Sequence, residues 1–246
     1  FFSCLSYYFL VLTFMHDLSI LFQGSLDKEN IRSINKTKNN LDDVNIVVST
    51  WENSNIQGLY CDEIIFNQDP GSQGFYHSNR MNNANRQIRS TINGLKKIKT
   101  KFVVKMRTDM FFNNNKILRN IEKIKKIEKS ENRLFQNKVV SLSNVSINPN
   151  RHCRMLFHPT DFFMFGLTSD LIEYFDVEEI SFDEINYFNN NPVPKKAWHK
   201  SLLQKYSNEQ YFLVKLIEKR LGYIPIDNAH DFNEEKNQNH SNIVST

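Results

Sequence analysis

The sequence predicts a single α/β domain with a mixed, mainly parallel central sheet flanked by helices. Three observations carry that reading. Short apolar runs rich in branched residues alternate with helical periodicity up to about residue 140, the pattern of βαβ units. One run, Lys101-Phe-Val-Val-Lys-Met-Arg-Thr-Asp109, passes from apolar to charged within a few residues. A ligand in an open α/β sheet sits beyond the carboxyl ends of the strands, so this stretch leads from core to candidate site. Finally, 246 residues with 40% hydrophobic content suffice for one large core, and neither an internal repeat nor an inter-domain linker interrupts them.

The elements follow in order. Leu18–Phe22 reads as a first strand ending at Gln23-Gly24, where Gly lets the backbone turn tightly and approach a ligand. Asp27 to about Asn39 is a polar surface helix. Asn45–Ser49 is a second strand, followed by Thr50-Trp51-Glu52, and Ile64–Phe66 a third, closed by the turn Asp69-Pro-Gly71. Ser78 to Lys99 is expected as a long helix with an apolar stripe of Met81, Ala84, Ile88, Ile92 and Leu95. Its opposite face carries Asn82, Arg86, Arg89 and Asn93, which suits either phosphate and sugar hydroxyls or plain solvation. Gly94 near its end costs about 1 kcal/mol against Ala and signals close packing or an early helix end.

After the strand Lys101–Met106, Asn113 to Lys129 reads as a lysine-rich amphipathic helix. It would dock on the sheet or lie on an anionic membrane. Val139–Ser141 and Asp161–Gly166 are further strands, Leu167–Phe175 a short helix, and 176–206 irregular. Ser207-Asn-Glu-Gln210 has the capping-box pattern, so a helix is expected from Asn208 to Leu221 with Gly222 at its C′ position. The domain is expected to span 15–226. Residues 227–246 read as a flexible tail short of apolar residues. Phe1–Met15 is apolar but too short to span a bilayer, which takes about 20 residues, and lacks a basic n-region. Residues 1–14 are therefore expected to lie outside the fold, the alternative being a truncated membrane anchor.

A net charge of +4 is too mild for a nucleic-acid partner, but suits an anionic small ligand or a membrane surface. The three cysteines form no C-x-x-C pair and are odd in number, which argues for a reducing compartment. A cytoplasmic location follows, with the inner membrane face as an option.

Gln23-Gly24, Ser49-Thr-Trp51, Asn85-Arg-Gln87, Gly94-Leu95, Lys105-Met-Arg-Thr-Asp109 and Asp161-Phe-Phe-Met-Phe-Gly166 occur in this order. Together they resemble the WavE lipopolysaccharide synthesis family of glycosyltransferases, over roughly residues 15–225. More broadly, Gly94-Leu95 followed by a strand ending in Arg107-Thr-Asp109 is similar to glycosyltransferases of the GT-A fold, where the strand ends in Asp-x-Asp. The resemblance implies transfer of a sugar from a nucleotide-sugar donor to a glycan or lipid-linked glycan acceptor. It implies a divalent metal, manganese or magnesium, on Asp109. The first acid of the motif is here Arg107, which bonds phosphate directly, so Arg107 and Lys105 would share the metal's work. Gln23, Gly24 and Thr50 would line the nucleotide pocket, and Arg86 would meet the diphosphate. Asp161 is the candidate base or, alternatively, a loop cap. Glu209 is a second candidate, or simply an acid in a helix's first turn. A non-catalytic nucleotide- or sugar-binding module on the same fold is the competing class.

Overall fold

The computed structural model describes residues 17–41, 43–76, 79–114, 116, 134–143, 146–151, 153–197 and 202–243. The expected 1–14 extension lies outside the described residues, as does nearly all of the expected 113–129 helix.

Strands β1 (Leu18–Gln23), β2 (Asn45–Trp51), β3 (Glu63–Asn67), β6 (Phe102–Arg107), β7 (Val140–Ser141) and β8 (Phe163–Leu167) form one sheet in the order β3-β2-β1-β6-β8-β7. The first four in that order are mutually parallel, and β8 runs antiparallel to both β6 and β7. This is the expected Rossmann-like arrangement. β4 (Gln73–Gly74) and β5 (Met81–Asn82) form a separate small hairpin.

Strand alternation divides the core in two. Leu21, Val47, Val103 and Met164 pack on one face beneath α2 (Ala84–Leu95), α3 (Thr168–Phe175) and α6 (Asn208–Leu221). Ile20, Phe22, Val48, Val104 and Phe165 face the other way, with Ile34 of α1 (Lys28–Asn40) and Phe112. Among the described residues no helix is long and apolar enough to cross a membrane.

Three expectations shift. The helix expected from Ser78 begins instead at Ala84, because Asn82 is drawn into the β4–β5 hairpin and its Oδ1 accepts from the Ala84 N–H at 2.7 Å. Gly94 explains both of its signals. A Cβ there would stand 2.6 Å from Leu21 Cδ1 and 2.9 Å from Ser49 Cβ, so only Gly lets α2 lie this close to β1 and β2, and the helix ends one residue later. The 176–206 stretch carries two short helices, α4 (Phe182–Ile185) and α5 (Tyr187–Asn190). Beyond residue 226, expected as a flexible tail, lies α7 (Glu234–Ile243). α7 is held by His240, 3% exposed, which accepts the Phe157 N–H on Nδ1 at 3.1 Å, and by Ile243, which packs against the main core. By contrast α6 follows its sequence signals, with a complete Ser207/Gln210 capping box and Gly222 left-handed at φ 74°.

Candidate functional site

The chain lays down β1, β2 and β3 outward in sequence, then returns to place β6 on the other side of β1. The carboxyl ends of β1 and β6 therefore flank a topological switch point, where an open α/β sheet leaves a crevice. Two backbone bonds pin the turns there: Gly24 N–H to Ser49 O at 3.1 Å, and Thr108 N–H to Gln23 O at 3.2 Å. Gly24 has φ +129°, and a Cβ would come within 3.2 Å of Thr108 Oγ1, so a side chain at that position would both strain the backbone and close the turn. The N-terminal half of α2 approaches the same ends with one stripe of side chains. Arg86 reaches Asp69, Gln87 reaches Asp161, and Ser90 donates to Gln23 Oε1 at 2.9 Å.

Beneath the crevice floor lies a buried ion pair. Lys105 lies on the α2 side of the sheet, level with Leu21 and Met164, and is wholly buried. Its ammonium donates to Asp161 Oδ2 at 2.9 Å and to the Asp161 carbonyl at 2.5 Å. The Phe175 ring centroid is 5.1 Å away. Burial lowers the Lys105 pKa from its ordinary value, and the Asp161 carboxylate opposes that shift. Gln87 donates to the same Asp161 oxygen. Tyr174, also buried, has a hydroxyl without a hydrogen-bond partner among the described residues. Burial first, then the charges of Asp161 and Glu209, raise its pKa well above the ordinary phenol value.

Glu209 sits higher, in the first turn of α6, with its side chain 22% exposed and Oε2 3.5 Å from His158 Nε2. The loop that carries His158 is held by its own backbone, with Ile147 N–H donating to His158 O at 3.0 Å, and by two further bonds. Gln210 Nε2 donates to Leu156 O at 2.8 Å, and His240 takes the Phe157 N–H. Phe157 is the one non-glycine with positive φ among the described residues, at 56°. Backbone strain of this kind costs about 1–3 kcal/mol and persists only where surroundings enforce it. Here it turns the chain directly before His158.

Arg107 and Asp109 bond to each other through both carboxylate oxygens, at 3.0 and 2.5 Å, each side chain being nearly half exposed. Arg86 grips Asp69 in the same way at 2.7 and 2.6 Å, which lowers the Asp69 pKa and raises that of Arg86. The expected metal does not fit this donor set. Arg107 stands where the motif's first acid would and offsets the Asp109 charge, and among the described residues no three His, Cys, Asp or Glu side chains converge to hold an ion.

The expected site residues thus separate by depth. Gln23, Gly24, Arg107 and Asp109 lie at the switch point with Asp161 beside β6, whereas Arg86 pairs with Asp69 beyond the edge strand β3. Thr50 is fully buried, with Oγ1 2.8 Å from Ser54 Oγ, so its side chain lines no open surface. Lys105, expected at the mouth, lies one layer below it and serves Asp161 rather than open space. Sequence reasoning did not assign roles to Gln87, Ser90, His158 and Tyr174. For the first two the signals were the i, i+3, i+4 spacing of Arg86, Gln87 and Ser90 along α2 and, for Gln87, its place in the Asn85-Arg-Gln87 motif.

Comparison with known proteins returned no match among curated proteins. A family model, WavE lipopolysaccharide synthesis, matches residues 19–246, which takes in every strand and helix described above except Leu18, the first residue of β1. The resemblance first carried by six short motifs therefore extends over nearly the whole chain, and the family's description points to a part in lipopolysaccharide synthesis. The chain belongs to the WavE lipopolysaccharide synthesis family.

Proposed function

We propose that the protein is a glycosyltransferase that moves a sugar from a nucleotide-sugar donor to a hydroxyl of a growing surface glycan. The observation that carries this is two half-exposed arginines at the carboxyl ends of the strands, Arg107 closing β6 at the switch point and Arg86 opposite the end of β3, each forked onto a surface carboxylate. Exposed ion pairs are worth about 0–1 kcal/mol. A diphosphate, with more charge and a matching bidentate geometry, can take either guanidinium from its present partner. The nucleotide would lie over the Gln23-Gly24 turn, whose glycine leaves the backbone open to close approach.

In the reaction, the acceptor hydroxyl oxygen bonds to the anomeric carbon as the bond from that carbon to the diphosphate oxygen breaks. The hydroxyl proton passes to a carboxylate, and the nucleoside diphosphate leaves with its negative charge against the two guanidiniums. Besides Asp109, which pairs with Arg107, two acids stand at the crevice. Asp161, the base expected from the sequence, is held between Lys105 and Gln87 with its side chain 4% exposed. Glu209 is the one an acceptor can reach, so we assign it the proton transfer and assign Asp161 the support of the floor beneath.

The test is incubation of the full chain with a panel of nucleotide sugars, followed by measurement of nucleoside diphosphate release and calorimetry with the diphosphates alone. Release that is lost in Arg107→Ala supports the reading. Tight diphosphate binding with no release from any donor would instead make the protein a binding module.

A further inference from the structure

We propose that the cavity between the N-termini of α2 and α6 is the acceptor subsite and takes one sugar ring of the acceptor glycan. This rests on the transferase reading above. The cavity measures about 280 Å³, room for a single sugar residue, and its lining includes Phe75, Arg80, Asn82, Asn83, Gln204 and Asn208. Four of the lining residues are amides, beside the apolar Met81, Leu202 and Leu203, and three of the amides orient one another. Asn82 Nδ2 donates to Gln204 Oε1 and to Asn208 Oδ1, and Gln204 Nε2 donates to Asn208 Oδ1 at 3.2 Å. Asn82 is further fixed by accepting the Ala84 N–H.

Asn82 and Gln204 are each 7% exposed, so the array is set before any ligand arrives. Among the described residues, one hydrogen of Gln204 Nε2 and both of Asn208 Nδ2 remain without an acceptor. Sugar hydroxyls both donate and accept, and neutral planar amides meet them edge-on without the desolvation cost of a charge. The Phe75 ring, with the Arg80 guanidinium 5.9 Å from its centroid, supplies the apolar wall that the C–H face of a pyranose needs.

Position assigns the cavity to the acceptor rather than the donor. On one side Asn83 Oδ1 accepts from Arg86 Nη1 at 3.1 Å, and Arg86 is the diphosphate-side cation. On the other, Asn208 immediately precedes Glu209, the proposed base. The cavity wall thus includes both the residue that bonds the leaving group's counter-charge and the chain neighbour of the proposed base, and on that ground we place the acceptor ring here.

The experiment is saturation-transfer NMR on the full chain with methyl glycosides of glucose, galactose and N-acetylglucosamine, repeated with Asn208→Ala and Asn83→Ala. Asn83 is exposed and makes no side-chain cap bond, so its variant keeps the fold even if the first does not. At least one glycoside should bind the wild type, and about fivefold or more weaker in the variants, as loss of one or two hydrogen bonds predicts. No glycoside binding to the wild type, or binding unchanged in both variants, overturns the proposal. So does displacement of the glycoside by uridine or guanosine diphosphate, which would hand the cavity to the donor. Glycoside binding here with no diphosphate binding anywhere would leave the sugar site standing while the transferase reading falls.

Discussion

Replacing Lys105 by Met tests the buried floor of the site most directly. The side chain is wholly buried and its ammonium makes two bonds to Asp161. Met fills similar space but leaves the Asp161 carboxylate at 4% exposure with Gln87 as its remaining side-chain partner. Stripping one partner from a buried pair costs about 3–5 kcal/mol. With a urea slope of about 3 kcal/mol/M for a domain of this size, the unfolding midpoint should fall by about 1–1.7 M at unchanged slope. Asp161→Asn should cost less, because the orphaned ammonium can shed its proton, a direction in which burial already pushes it. The sign follows from linkage. With the folded pKa below the unfolded one, the unfolded chain binds more protons between the two values, so the stability of Asp161→Asn should rise with pH across the alkaline range up to about 10.5. The double variant Lys105→Met/Asp161→Asn, which buries no charge, should recover most of the loss. Urea titrations followed by circular dichroism at several pH values read all of this. A Lys105→Met protein within 1 kcal/mol of wild type, or a double variant no better than the single, would refute the buried-pair account.

Three further outcomes are expected. Glu209→Gln should lower donor turnover by about a hundredfold or more with diphosphate affinity unchanged; if Asp161→Asn alone does this while Glu209→Gln stays active, Asp161 is the base after all. Gly94→Ala should cost about 1–3 kcal/mol by overpacking against Leu21 and Ser49, and a neutral result in thermal unfolding would mean that α2 can shift outward freely. His240, buried and neutral, has its pKa pushed down to about 4 from 6.5, so its stabilising effect is complete above about pH 6.5 and is lost as pH falls toward 4. That loss amounts to about 3 kcal/mol, and a pH–stability profile unchanged in His240→Gln would show that α7 is not held through this imidazole.

Local signals were enough for much of the fold. The apolar run Phe102–Val104 had to be a strand because alternate residues face two apolar layers, and it became the centre of the sheet. Ser207 and Gln210 announced the start of α6, and Gly222 its end, because capping depends on residues a few positions apart. The mouth of the crevice was equally legible, since Gln23-Gly24 and Arg107-Thr-Asp109 directly follow strands and a strand's carboxyl end is fixed by its own direction. Depth was not legible. Lys105 is two residues from Arg107 on the same face, yet one points its charge inward and the other outward, because Asp161, far along the chain, comes back just before β8 to receive the ammonium. The C-terminal segment looked too polar to order, but His240 bonded to a strained amide at Phe157, with Ile243 against the main core, docks its helix. The amide-lined cavity joins residues from the β4–β5 hairpin, the start of α2 and the start of α6. Such long-range pairings carry no periodicity or spacing that a sequence can display, so only the tertiary structure decided them.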